Sequence, residues 1–337
     1  MAMDNIIGRV WRGEVVESVH RAHIAVVDHT GRLLYSLGDP MYVTYWRSSS
    51  KPIQALPLVE TGGTDAFGLT EPEVAVTCAS HNGEDFHTDA VRSLLSKAGL
   101  SPDDLQCGPH DVNRAFPRRD LPLDQKPGRI HNNCSGKHAG MLTLCKHHGW
   151  PHQTYRDPMN PAQRLILKTL SEISGYPADR VQIGVDGCGV PVFAMPIQHM
   201  ALTFARLARP DTQPETRQRA LRRVRDAMIA HPQMVAGTGR FDTALMRAGR
   251  GTIVCKGGAA ALHCCGLTDR GIGVAVKIED AGDGLTAPAQ MEVLRQVEAL
   301  TAEALEELRA FRFPPVTNTR DEVVGRIETR FTLERVS

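Results

Sequence analysis

Strand-forming residues cluster at the two ends of this chain and helical patterns fill the stretch between them, so one sheet has to be assembled from both termini. Residues 9–19, 22–28 and 33–37 are rich in Val, Ile, Leu and Tyr, and Asp28-His29-Thr30-Gly31 reads as a hairpin turn. Strand patterns return at 251–255, 260–267 and 271–278, with a last short one near 324–333. From Ser50 to about Ala248 the signals are mostly helical. Residues 84–98 place His87, Val91, Leu94 and Leu95 on one face and stop at Gly99. Asn160-Pro161 opens a second helix that ends at Gly175, residues 215–230 form a third, and about 288–310 a long fourth. The expected fold is α+β, a mixed sheet from both chain ends with a largely helical middle, over 1–337 as a single domain.

Composition narrows the function. Thirty-nine basic residues against 38 acidic ones leave a formal charge of +1, which offers no footprint for nucleic acid or an anionic membrane. No apolar run reaches transmembrane length. Residues 1–5 and the charges that follow lack the pattern of a secretory leader. Eight cysteines in 337 residues are too sparse for a disulfide scaffold and read as reduced thiols or metal ligands. A cytoplasmic location is the expectation.

Polar residues then gather in a few places. Arg47-Ser48-Ser49-Ser50-Lys51-Pro52 leads into a helix, and i,i+3 spacing puts Ser48 and Lys51 on one face. Serine needs a base to become a nucleophile, and lysine serves only when neutral. About 1 lysine in 2,500 is neutral at pH 7, so bringing the group to neutrality costs about 4 kcal/mol of burial or nearby positive charge. The same residues would also make a Ser-rich helix cap with a solvated lysine.

Cys78-Ala79-Ser80-His81-Asn82-Gly83 follows the apolar run Val74-Ala75-Val76 and presents several functional groups at its tip, or simply turns out of a helix. His131-Asn132-Asn133-Cys134-Ser135-Gly136-Lys137-His138 is the densest polar cluster, and it does not fit a Walker loop. Asp186-Gly187-Cys188-Gly189 allows close backbone approach, although Cys134 and Cys188 taken singly are more often buried small hydrophobes. Lys256-Gly257-Gly258 ends a strand, where the lysine could face a carboxylate or supply a second cation near Lys51. The arginines at 217, 219, 222, 223 and 225 read as the wet face of a helix.

Together with Asn133-Cys134-Ser135-Gly136-Lys137-His138-Ala139-Gly140-Met141, these segments occur in the order seen in the L-asparaginase II family of the rhizobial type, which the chain resembles over nearly its whole length. The resemblance implies a fold similar to serine β-lactamases and glutaminases, a homodimer, and hydrolysis of L-asparagine to aspartate and ammonia. It further implies two Ser-Lys tandems, Ser48 with Lys51 and Ser80 with Lys256. A zinc ion (Zn2+) would be held by Cys134, Lys137 and Cys188 with water, and Arg47, His138 and Asp186 would surround the substrate. Asp242 stands where some members carry cysteine, and its acid would set the polarity of the pocket. Two rivals are a serine acyl enzyme of β-lactamase or peptidase type and a silent amino-acid-binding protein. The first lacks its Ser-Asp-Asn and Lys-Thr-Gly motifs here, and the second has no use for two nucleophile-base pairs.

Overall fold

A computed structural model describes residues 5–110 and 126–336 of the 337. Residues 1–4, part of the opening read for a leader, lie outside the described residues. In chain order the strands are β1 (Ile6–Arg12), β2 (Val15–Asp28), β3 (Leu33–Leu37), β4 (Val43–Tyr45), β5 (Gln182–Val185), β6 (Pro191–Pro196), β7 (Ile253–Gly258), β8 (Leu262–Leu267), β9 (Ile272–Ile278), β10 (Pro315–Thr317), β11 (Val323–Thr329) and β12 (Glu334–Arg335). The helices are α1 (Lys51–Glu60), α2 (Gly63–Ala66), α3 (Glu71–Thr77), α4 (Asp85–Lys97), α5 (Ser135–His148), α6 (Pro161–Ser174), α7 (Ile197–Ala208), α8 (Glu215–Ala230), α9 (Pro232–Val235), α10 (Phe241–Ala248), α11 (Thr286–Gln296), α12 (Ala302–Glu307) and α13 (Arg309–Arg312). No described helix is long and apolar enough to cross a membrane.

Two compact units emerge. A sheet unit comprises Met1–Thr44, Met195–Arg209 and Ala244–Ser337, and a helical unit comprises Tyr45–Ala194 and Pro210–Thr243. In the sheet unit the strand order is β10-β11-β1-β2-β9-β8-β7, with β3 on β2 and β12 on β3. The chain ends meet directly, Gly8 opposite Thr329, in the expected α+β arrangement. Asp28 Oδ1 accepts from the amides of Thr30, Gly31 and Arg32, which closes the β2–β3 hairpin at the predicted turn. Helix α7 lies against β9, β8 and β2 with Ile197, Met200, Ala201 and Phe204 buried. Any Cβ at Gly273 would collide with the Ala201 carbonyl, so glycine there sets the helix–sheet distance.

Two local expectations need correction. The run 9–19 is not one strand: Gly13, at φ 54°, turns the chain between β1 and β2, which pair Arg12 with Val15. The expected helix 288–310 is divided into α11, α12 and α13, with Glu298 at φ 54° after α11.

In the helical unit, α1 is buried from Lys51 through Val59 and packs against α8, α5 and α6. Its Ile53, Leu56 and Leu58 each contribute about 1.5–3 kcal/mol by leaving water. Helix α5 crosses α3 where Gly136 meets the Val76 carbonyl, too close for any Cβ. Strands β5 and β6 pair antiparallel, Gln182 with Ala194 and Val185 with Pro191. Arg217 leaves the wet face assigned to it, because its guanidinium bridges Glu60 at 3.0 Å and Glu172 at 2.7 Å and ties α8 to its neighbours.

Candidate active site

The site begins where the chain turns into α1. Trp46 is buried and its amide donates to the Phe193 carbonyl at 2.8 Å. Arg47 follows at φ 49°, in the left-handed region where an L-residue is crowded. Ser48 lies half-buried on the ensuing single turn, and the Lys51 amide donates to its carbonyl. Ser50 Oγ donates to the Arg47 carbonyl at 2.7 Å and braces the same turn.

Lys51 is fully buried at the start of α1. Its Nζ donates to the Ala79 carbonyl at 2.5 Å and the Asn133 carbonyl at 3.4 Å, and lies 2.9 Å from Ser80 Oγ. Ser80 reaches this position because α3 ends at Thr77 and the Ser80 amide donates to the Val235 carbonyl at 2.8 Å. Asn133 O also accepts the His81 amide, so one carbonyl joins both polar segments. His81 packs flat on His87 with ring centroids 4.8 Å apart, and its Nε2 lies 2.9 Å from Ser135 Oγ. Burial holds His81 well below the usual imidazole range, reinforced by His87 and Lys51.

A second cluster adjoins Arg47. Its Nε donates to Asp186 Oδ1 at 2.9 Å, while buried Lys137 donates to Asp186 Oδ2 at 3.4 Å and approaches Cys188 Sγ at 3.1 Å. The Sγ atoms of Cys134 and Cys188 and a carboxylate oxygen of Asp186 all lie within 4.8 Å of one another. Burial pushes Asp186 up, but Lys137 and Arg47 outweigh it and hold the carboxyl at about 2. Lys137 is pulled down by burial and held above the ordinary lysine range by Cys134, Cys188 and Asp186. Interaction with the neighbouring Cys188 thiol lowers Cys134 below the thiol range against its burial, with help from Lys51 and Lys137. Two thiols, a carboxylate and an amine form a donor set that suits zinc, which takes sulfur, oxygen and nitrogen ligands.

His138 is fully buried beside these charges. Burial drives it well below the imidazole range, and Lys137, Lys51 and Arg156 add to the effect. Its Nδ1 lies 2.6 Å from the Tyr155 hydroxyl. Asp242 is buried in the first turn of α10. Lys256 belongs to the sheet unit, on β7, where it is buried and donates to the Gly257 carbonyl at 2.7 Å. The hairpin after it turns through Ala260 and Ala261, at φ 60° and 54°.

The helical unit therefore brings together Lys51 with Ser80, and Arg47 with Lys137, Asp186, Cys134 and Cys188. Sequence reasoning gave Asp186 a substrate role and missed it as a metal-donor candidate, although its place two residues before Cys188 was the available signal. Tyr155 was missed as well, and nothing in its neighbourhood marked it. The carbonyls of Ala79 and Asn133 carry no side-chain signature at all.

The sequence model of the family described as L-asparaginase II matches residues 9–329. No protein among curated sequences matches the chain. Among solved structures the chain is similar to Mglu in its native form, at 17% identity and a TM-score of 0.45 over 85% of this chain and 66% of that one. It thus spans just under two thirds of the length of Mglu. It is also similar to a β-lactamase from Mycobacterium bovis, at 14% identity and a TM-score of 0.42 over 83% of this chain and 95% of that one.

Proposed function

The chain belongs to the L-asparaginase II family, and from that premise we propose that it hydrolyses L-asparagine to L-aspartate and ammonia through a serine acyl-enzyme. The observation that carries this reading is the fully buried Lys51 side chain at the end of the turn that holds Ser48. Ser48 Oγ attacks the side-chain amide carbon while neutral Lys51 takes the hydroxyl proton. Collapse of the tetrahedral adduct breaks the C–N bond, the nitrogen takes that proton, and ammonia leaves. Water then attacks the ester, gives a proton to Lys51, and aspartate departs as the Ser48 hydroxyl is restored.

Ser80 relays protons and, with Lys256, tunes Lys51. Arg47 and His138 position the substrate, with Asp186 and Asp242 setting charge around it. Zinc held by Cys134, Lys137 and Cys188 would supply fixed positive charge that orders the pocket and attracts a carboxylate. The proposal includes one catalytic domain over residues 1–337, a homodimer, and a cytoplasmic location.

A second reading makes Ser80 the nucleophile, and the 2.9 Å Lys51–Ser80 contact favours it. Ammonia release from L-asparagine and L-glutamine, run beside hydrolysis of a chromogenic β-lactam, tests the reaction class. Turnover of asparagine is expected. Turnover of the β-lactam alone would transfer the site to the rival acyl enzymes.

A further inference from the structure

His138, given a substrate-positioning role above, combines two features that bear on how it would fill that role. Its Nε2 is buried and, among the described residues, has no hydrogen-bond partner. Its other ring nitrogen lies 2.6 Å from Tyr155 Oη, with the two rings edge to face and their centroids 5.5 Å apart. Buried polar nitrogens are nearly always satisfied, so an orphan beside charged site residues marks a place kept for a ligand.

The hydrogen bonds decide what that nitrogen offers. Tyr155 is fully buried, and its hydroxyl oxygen accepts the Gln106 amide at 2.9 Å. Among the described residues the hydroxyl has one further partner, His138 Nδ1. A phenol has a single proton, and here it has a single acceptor to receive it. Were Nδ1 to carry hydrogen instead, the oxygen would accept twice and its own O–H would be buried with no acceptor. Donation from Tyr155 to Nδ1 places the imidazole hydrogen on Nε2.

Tyr155 is itself fixed from behind. Arg156 Nε donates to Gln106 Oε1 at 2.7 Å, and Gln106 Nε2 donates to the Gln153 carbonyl at 2.7 Å. The segment carrying the Gln106 amide is thus clamped to the segment carrying Tyr155.

We infer that Tyr155 is a positioning residue that locks His138 as its Nε2–H tautomer and reserves this N–H as a donor to an oxygen of the bound substrate. The inference rests on the asparaginase reading for the identity of that substrate, and the tautomer itself does not depend on it. Tyr155→Phe removes the hydroxyl while keeping the ring.

Two-bond 1H–15N spectra of 15N-histidine-labelled protein report the tautomer, with the His138 signals identified by their loss in His138→Gln. Without substrate, the unsubstituted protein should show Nε2–H, and Tyr155→Phe should show Nδ1–H or a mixture. In steady-state assays with L-asparagine, Tyr155→Phe should raise KM about tenfold and lower kcat less. An Nδ1–H tautomer in the unsubstituted protein overturns the inference, as does a Tyr155→Phe protein with both tautomer and KM unchanged. Should Tyr155→Phe fail to fold, the tautomer of the unsubstituted protein decides. Absence of asparagine turnover in that same protein would count against the proposed function and leave the tautomer measurement as the deciding result.

Discussion

Arg47 sits in a backbone region that costs an L-residue about 1–3 kcal/mol, and such strain persists only where surrounding contacts over-determine it. Here the restraints are the bond from Arg47 Nε to Asp186 and the Ser50 hydroxyl on the Arg47 carbonyl. The strained residue comes directly before Ser48, between β4 and α1, and a sharp strand-to-helix turn is a recurring way to present a nucleophilic serine. Ser48→Ala should therefore lower kcat by several orders of magnitude, Lys51→Ala likewise, and the double variant should lose little more, because the two act as a unit. Since Lys51 must be neutral to accept a proton, kcat/KM should also rise with pH. Near-normal turnover in Ser48→Ala beside a dead Ser80→Ala would move the nucleophile to Ser80. The i,i+3 relation of Ser48 and Lys51 was legible from spacing, since both fall within one helical turn. The approach of Ser80, 29 residues along the chain from Lys51, was not, because packing of α3 and α5 around α1 brings it about.

Elements show the same division. Helix α8 has the predicted bounds, because an apolar face at helical period specifies a helix without reference to its neighbours. Arg217 on that helix departs from the expected solvent face because its acidic partners, Glu60 and Glu172, come from distant sequence. The turn from α3 into α4 carries a prediction of its own. His87 Nδ1 accepts the Glu84 amide and its Nε2 lies 2.9 Å from the Gln233 carbonyl, an arrangement that requires the neutral ring. Burial pushes His87 down to about 4, against the raising effects of the Gln233 carbonyl and Glu84. The unfolded chain, with an ordinary histidine near 6.5, binds the proton first as pH falls. Stability from this group is thus fully present above about pH 6.5 and declines toward pH 4, by roughly 3 kcal/mol in all. Urea unfolding across that range should show a shallower pH slope in His87→Gln than in the unsubstituted protein. An equal slope in both would assign the acid sensitivity elsewhere, with buried His81 the next group to examine.

At the scale of the whole molecule, zinc held by the donor set of Cys134, Lys137, Asp186 and Cys188 would link metal binding to stability. Thiols and an ammonium bind a metal only after losing protons, so zinc should raise the unfolding temperature near pH 8 and do so progressively less toward pH 5. With free zinc at a hundred times its dissociation constant, the gain is about 2.7 kcal/mol. Chelation, or Cys188→Ala, should raise KM much more than it lowers kcat. A kcat that disappears with the metal and returns with it would show that the ion serves the chemistry and not substrate holding. The sequence by itself determined the α+β plan, the helices with clear apolar periods and the turn at Asp28, because these depend on forces acting between residues a few positions apart. It also marked the polar segments from which the site is built. Tertiary structure alone decided that Arg47, Lys137, Asp186 and Cys188 share one cluster, and that the Ala79 and Asn133 carbonyls receive Lys51. Every residue carries a carbonyl, and only the packing of distant segments determines which one meets a buried lysine.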